Sequence, residues 1–139
     1  MVRLVILGLE ERERILSKDK LSKLEEIVRK EIGDVVVNVI FIDKKTISQL
    51  NSKFRKKRGA TDVLTFPYGD EDLFGEIYVC LDIVEENAKR FHNTLERELV
   101  EVIVHGILHL AGYDHEYSKE NEKEMFEKQT KYVEEVMGA

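Results

Sequence analysis

The sequence has little cysteine, proline or tryptophan: its 139 residues include one, one and none. The single cysteine, Cys80, excludes a disulfide framework and favours a reducing compartment. No apolar run approaches the roughly 20 residues of a membrane-spanning helix. The apolar segment 1–9 is short and is followed by five charged residues, so we interpret it as a strand and not as a signal peptide. We therefore expect a cytoplasmic protein without a membrane partner.

Positive charge is also scarce, with 22 Lys and Arg residues against 28 Asp and Glu residues and a formal net charge of −6. An acidic chain does not bind nucleic acid nonspecifically over its whole surface, so any such contact needs a local basic patch. Hydrophobic residues make up 42% and charged residues 36%, which is typical of a soluble globular protein. The length predicts one domain, spanning residues 1–139.

Apolar and β-branched stretches predict four strands, at 2–7, 35–42, 61–66 and 75–81. The first two strands are separated by one predicted helix and should lie parallel, with a right-handed crossover. The last two are separated by a short polar segment and should pair antiparallel. The predicted fold is therefore α+β, a small mixed β-sheet of about four strands with helices packed against it.

Capping residues predict where several helices begin. Capping boxes are expected at Asp82 with Glu85 and at Asn93 with Glu96. The last helix is expected to bury one stripe at helical spacing. That stripe consists of Met125, Phe126, Gln129, Tyr132, Val133 and Val136.

The segment from His105 to His115 carries most of the functional information. Residues 99–111 are apolar on nearly every face, which predicts a buried helix. His105 and His109 are four residues apart and share one face of it, and Gly112 can end the helix and turn His115 back. A single core histidine is usually structural, but three of the four histidines fall within eleven residues. We therefore predict that these three bind one zinc ion per chain and leave a coordination site open, although imidazole also accepts nickel and cobalt.

The residue after the first histidine distinguishes this segment from metzincin peptidases, which share the spacing of its three histidines and its glycine. Those enzymes have a glutamate there as general base, whereas this chain has Gly106. We therefore expect a zincin-like metal helix without that base. Zinc held by neutral imidazoles can still neutralise charge, which favours an anionic substrate such as a phosphodiester.

A basic segment precedes the third predicted strand. Five positive charges fall within six residues of an otherwise acidic chain, at Lys53, Arg55, Lys56, Lys57 and Arg58. Such a run is either a solvated loop or a phosphate-binding patch. It leads into a strand that is expected to border the metal cleft, and arginine binds phosphate through paired hydrogen bonds. The run itself leaves both interpretations open.

Three motifs together resemble those of the bacterial YbeY endoribonucleases, also called ribosomal RNA maturation factors: Asn51-x-x-Phe54-Arg55, Thr-Asp-Val-Leu-Thr-Phe-Pro at 61–67, and the histidine segment. The resemblance covers residues 51–115. It implies a cytoplasmic zinc-dependent endoribonuclease that acts on single-stranded RNA. It also implies a role in 16S rRNA 3′-end maturation and ribosome quality control, with rRNA and the small ribosomal subunit as partners.

The same resemblance implies site residues. The zinc ligands are His105, His109 and His115. Arg55 matches the family's functionally important arginine, and we predict that it is catalytic. The neighbouring cations predicted to contact RNA are Lys53, Lys56, Lys57 and Arg58. The chain departs from the family pattern at Lys56, where glycine is usual, at Thr65, where serine is common, and at Glu76, where aspartate often follows the glycine.

Two other functions stay open. A metallopeptidase or small-molecule metallohydrolase would need a carboxylate base from elsewhere in the chain, and Glu76 and Asp114 are the candidates. A ribosome-assembly factor would use zinc only to hold the helix in place. The attacking oxygen, the cleavage site and the oligomeric state are not specified by the sequence.

Overall fold

The computed structural model describes residues 2–8, 15–55, 59–70, 72–113 and 119–138, with only the backbone of Arg55. The strands in these ranges are β1 (Arg3–Leu7), β2 (Val36–Ile42), β3 (Val63–Pro67) and β4 (Gly75–Cys80). The helices are α1 (Lys18–Glu31), α2 (Lys44–Arg55), α3 (Leu81–Arg90), α4 (Leu95–Leu110) and α5 (Lys119–Met137). None of these helices is both long and apolar enough to cross a membrane.

The strands form a four-stranded sheet in the order β1-β2-β4-β3. As predicted, β1 and β2 are parallel and β3 and β4 are antiparallel; β2 and β4 are also parallel. The predicted α+β fold with a mixed sheet is therefore confirmed.

The sheet has two unlike faces, because successive side chains of a strand point to opposite sides. The inner face, which builds the main core, includes Leu4, Val37, Val39, Ile77 and Val79. The outer face includes Val5, Asn38, Ile40, Leu64, Phe66, Glu76 and Tyr78. α2 covers one end of the outer face through Ile47, which packs with Leu64 and Cys80.

α4 packs against the inner face, with α1, α3 and α5 around it. Ten of its residues are buried, as its continuous apolar sequence predicted. Two glycines allow helix and sheet to approach closely. A Cβ atom at Gly106 would lie 2.8 Å from Ile77 Cγ2, and one at Gly75 would lie 2.6 Å from Leu110 Cδ2. A side chain at either position would therefore collide with Ile77 or Leu110 unless the packing between α4 and the sheet shifted.

Both predicted capping boxes are wrong. α3 begins at Leu81, so Asp82 lies inside its first turn and does not cap the helix. A carboxylate in the first turn instead interacts favourably with the positive end of the helix dipole. α4 is capped by Thr94, whose hydroxyl accepts a hydrogen bond from the backbone of Arg97 at 3.1 Å.

The predicted stripe of α5 is correct except for Phe126, which is 67% exposed. The neighbouring residue, Met125, takes the inward position. Consecutive helical residues differ by about 100° in direction, so these two cannot both face the core.

Candidate metal centre

α4 brings together two of the three predicted ligands. His105 and His109 are half-buried and lie one helical turn apart on the same face. Their Nε2 atoms are 2.9 Å apart and their ring centroids are 4.4 Å apart, with the ring planes at 75°. The two nitrogens therefore converge on one region near the end of the helix.

α5 supplies a side chain that orients the first of these rings. Nδ1 of His105 lies 2.8 Å from Oε1 of Gln129, so the Nδ1–H group donates to the amide oxygen. This tautomer places the lone pair of the ring on Nε2, the atom that faces His109. Gln129 thereby selects the nitrogen that a metal would meet. Sequence analysis placed Gln129 in the inner stripe but missed this role, although it was the only amide in that stripe.

The donor pair fits zinc. Two nitrogens bound to a tetrahedral zinc at about 2.0–2.1 Å lie roughly 3.3–3.4 Å apart, a few tenths of an ångström more than the 2.9 Å observed here. Small ring rotations close that difference. Among the described residues no group of three His, Cys, Asp or Glu side chains is placed to hold a metal. The third predicted ligand, His115, lies outside those residues, so the structure itself contributes two donors.

The end of α4 has the geometry expected for Gly112. Its φ is +104°, a value that side-chain-bearing residues rarely adopt. Its N–H donates to the carbonyl of His109, and the N–H of Tyr113 donates to the carbonyl of Leu108, each at 3.0 Å. This pair of bonds is a Schellman motif. The chain therefore leaves the helix immediately after the second histidine.

A cavity of about 160 Å³ opens beside His105. Its polar walls are formed by Asp62, Glu98, Glu101, His105 and Gln129. Burial raises the pKa of Glu101, and the charge of Glu98 raises it further, against the lowering effect of Arg97. Glu101 is therefore protonated more readily than an ordinary glutamate, and it can hold or release a proton inside the cavity.

Sequence analysis missed these carboxylates. Glu101 is the one Asp, Glu, Lys or Arg within the apolar stretch 99–111 and precedes His105 by one turn, and Glu98 adjoins that stretch. That placement was a usable signal, because charged side chains are rarely buried without a partner or a function. Asp62 carried no such signal, since it reaches the cavity only through the packing of β3 on α4.

The prediction that Glu76 could act as the base is wrong. Ile77 faces α4, so Glu76 lies on the outer face, away from the cavity. Its carboxylate accepts hydrogen bonds from the hydroxyls of Tyr68 and Tyr78, at 2.6 and 3.2 Å. The structure also explains the missing metzincin glutamate, because Gly106 packs directly on the sheet and a longer side chain there would collide with Ile77.

The predicted RNA-contacting segment is only partly described. Lys53 lies in α2, with its Nζ atom 5.3 Å from the ring centroid of Phe54. Arg55 is the last residue of α2. Outside the described residues lie Lys56, Lys57, Arg58, Asp114 and His115. Of these cations, the one with a described side chain, Lys53, does not line the cavity.

Fold and site define a class of small α+β protein in which a central helix under a mixed sheet presents two converging histidines. A family model described as Endoribonuclease YbeY matches residues 10–137, and the chain belongs to this family. The Endoribonuclease YbeY of Thermotoga maritima is 62% identical over 133 residues, which cover 96% of this chain and 88% of that protein. The protein of the same name from Aquifex aeolicus is 38% identical over 122 residues, covering 84% and 81%. The solution structure of TM1509 from Thermotoga maritima has a TM-score of 0.73 at 60% identity and covers 98% of this chain and 90% of that one.

Proposed function

We propose that this chain is a zinc-dependent endoribonuclease that cleaves single-stranded RNA in the cytoplasm. The observation that carries the proposal is the convergence of the His105 and His109 Nε2 atoms, with His105 also lining a cavity that contains carboxylates. Support comes from curated relatives that are named endoribonucleases. The substrate would be rRNA of the small ribosomal subunit, cleaved during maturation of the 16S 3′ end and during ribosome quality control.

His105, His109 and His115 would hold one zinc ion per chain. When bound, zinc supplies a Lewis acid that neutralises charge on a phosphodiester. Gln129 would keep the lone pair of His105 aimed at the ion. Three neutral ligands do not reduce the charge of the cation, which suits an anionic substrate.

Phosphate binding and proton transfer would belong to other side chains. Arg55 would bind a phosphate through two parallel hydrogen bonds. The neighbouring phosphates would contact Lys53, Lys56, Lys57 and Arg58. Glu101, whose pKa is raised by burial, would take up and release a proton in the cavity.

A metallopeptidase or other metallohydrolase is the second candidate, and one observation favours it. Carboxylates line the cavity, so the base absent at Gly106 has replacements in Asp62, Glu98 and Glu101. Turnover of casein or of ester substrates, with none of RNA, would favour this candidate. A purely structural zinc is the third candidate, and a stable, RNA-binding but inactive His115→Ala variant would argue against it.

Elemental analysis combined with an RNA cleavage assay tests the proposal. Protein purified without chelators should contain one zinc per chain and should cleave unstructured RNA. Chelation should abolish cleavage, and added zinc should restore it. His109→Ala should lose both metal and activity. His92→Asn is the matched control, because His92 is exposed beyond the end of α3 and asparagine tolerates its φ of 55°. Failure to bind any divalent metal, or full activity of His109→Ala, would overturn the proposal.

The predicted role of Arg55 needs its own variant. Arg55→Ala should weaken cleavage severely while the zinc content and the melting temperature stay unchanged, because the side chain would act on the substrate and not on the metal. Unimpaired cleavage by this variant would remove Arg55 from the site.

A further inference from the structure

Four aromatic rings cluster on and beside the outer face of the sheet. Phe66 and Tyr78 belong to β3 and β4, Phe54 lies near the end of α2, and Tyr68 follows β3 directly. Phe66 contacts both Phe54 and Tyr78 edge to face, with ring centroids 5.5 Å apart in each pair. These four residues are called the aromatic surface below.

Two of these rings are open to solvent. Phe54 and Tyr68 are each 55% exposed. The other two, Phe66 and Tyr78, are partly buried and pack against the cluster of Ile47, Leu64 and Cys80 under α2. Clustered exposed aromatic side chains are uncommon on a surface that binds nothing, so the aromatic surface is a candidate for ligand contact.

Glu76 fixes the orientation of the two tyrosines. Its Oε1 atom accepts hydrogen bonds from the hydroxyls of Tyr68 and Tyr78. The bond to Glu76 raises the pKa of Tyr68 to about 12. Because the hydroxyls are engaged, the ring faces are what a ligand meets. Rings that are already oriented lose little conformational entropy when a ligand stacks on them.

Positive charge adjoins the aromatic surface. Lys53 lies against the ring of Phe54, and the sequence continues through Arg55 into Lys56, Lys57 and Arg58 in a chain with a net charge of −6. Rings next to cations suit single-stranded nucleic acid, because bases stack on the rings while phosphates pair with the cations. Protein interfaces, by contrast, are depleted in lysine.

One edge strand separates the aromatic surface from the metal centre. β3 is at the edge of the sheet. Asp62 and Val63, at its beginning, line the cavity beside His105. Leu64 and Phe66 of the same strand face outward. A single-stranded RNA chain that leaves the cavity and passes around the edge strand β3 therefore reaches the exposed rings.

We propose that the aromatic surface binds bases of single-stranded RNA that flank the cleaved segment, with Phe54 and Tyr68 as the stacking platforms. This inference takes its ligand from the proposed function, but it assigns a separate binding site on the other face of the sheet.

Binding can be measured with the full-length zinc-loaded protein. The probe is a fluorescein-labelled 2′-O-methyl oligouridylate. Its binding is measured by fluorescence anisotropy, and a gel run afterwards shows whether it is still intact. Phe54→Leu and Tyr68→Leu keep apolar surface but remove the ring. Each should raise the Kd roughly 5-fold or more, as expected for the loss of one base stack. Phe91→Leu and Phe126→Leu remove rings that are 63% and 67% exposed elsewhere on the protein, and they should leave the Kd unchanged.

Variants that retain a ring complete the test. Phe54→Tyr should bind the probe as tightly as the parent protein. Tyr68→Phe keeps the ring but loses its hydrogen bond to Glu76, so it should bind more tightly than Tyr68→Leu and no more tightly than the parent. Equal Kd values for all four leucine variants and the parent would overturn the inference, even if RNA cleavage is normal. The inference would also be overturned if the parent protein did not bind the probe. Weakened binding in only the two surface variants, in a protein that cleaves no RNA, would support the inference and refute the proposed function.

Discussion

The two faces of the sheet differ in how tightly their side chains are packed and in how far solvent can reach them. On the inner face, Val37, Val39 and Ile77 are completely buried beneath α4. Close packing fixes the part of α4 from which the two imidazoles project, because the buried side chains around it have no space to move. On the outer face, Glu76 orients two tyrosines while the adjoining rings stay open to solvent. The comparison teaches that the candidate chemistry lies where packing is rigid, whereas candidate ligand contact lies where side chains are oriented but accessible.

The largest effect should come from a side chain inserted between α4 and the sheet. Gly106→Glu introduces the metzincin base but places it against Ile77. We expect a loss of roughly 4 kcal/mol or more in the free energy of unfolding, because overpacking and an unpaired buried charge add. Gly106→Ala should lose about 1–3 kcal/mol. Urea denaturation measures both, with Thr130→Glu on the exposed side of α5 as control. A folded, peptidase-active Gly106→Glu protein would refute this account of the inner face.

The next largest effect should be on metal affinity, through the contact between His105, a predicted metal ligand, and Gln129 of α5. Gln129→Leu removes the acceptor of the His105 Nδ1–H group, and we expect metal affinity to fall roughly 10- to 100-fold. Gln129→Glu keeps an acceptor and should restore affinity. Competition with a chelating dye measures affinity, and nitrogen NMR shifts report the tautomer of His105. Unchanged affinity in Gln129→Leu would show that packing alone orients the ring.

A smaller effect is expected where α5 is anchored to α1. Lys128 Nζ lies 3.1 Å from Oε2 of Glu31, which also accepts a hydrogen bond from Tyr132. Burial raises the pKa of Glu31, but the hydrogen bonds from Tyr132 and Lys128 and the charge of Lys128 outweigh it, so the pKa is lowered. Lys128→Met should cost about 1–2 kcal/mol of unfolding free energy at neutral pH.

The sign of the pH dependence follows from that lowered pKa. The stabilisation from Glu31 is present above its ordinary pKa of 4.5 and is lost as the pH falls through the lower folded-state value. The difference between parent and Lys128→Met should therefore shrink in acid. Lys123→Met, at a pair whose lysine is 79% exposed, should change stability by less than about 0.5 kcal/mol. Equal losses in the two variants would show that the anchor contributes nothing specific.

The smallest effect on stability should come from the outer face. Glu76→Gln weakens the acceptor for Tyr68 and Tyr78, but exposed hydrogen bonds are readily exchanged for water. We expect less than about 1 kcal/mol of lost stability. The visible change should be in alkaline spectrophotometric titration, where the pKa of Tyr68 should fall from about 12 toward 10. A loss as large as that of Gly106→Ala would contradict the contrast between the two faces.

Features that depend on local spacing were predictable. The face shared by His105 and His109, the glycine turn at Gly112 and the burial of residues 99–111 follow from the geometry of one helix. The mixed sheet followed from the connection lengths between its strands. The family resemblance is confirmed by the match over residues 10–137, while His115 and the zinc ion remain predictions.

Features that depend on contacts between elements were not predictable. The packing of Ile77 against α4 placed Glu76 on the outer face and removed it as a candidate base. α4 begins at Leu95 because Thr94 caps it in place of the neighbouring Asn93, whereas α3 begins at Leu81 with no side-chain cap.

The sequence by itself determined that His105 and His109 share one face, because a helix repeats its faces whatever packs around it. Only the tertiary structure decided what surrounds those residues: Gln129 at the first histidine, Asp62 on the wall of the cavity, and Ile77 against Gly106. The physical reason is that these neighbours come from elements far apart in the chain, and their contacts exist only once α4 is packed between α5 and the sheet.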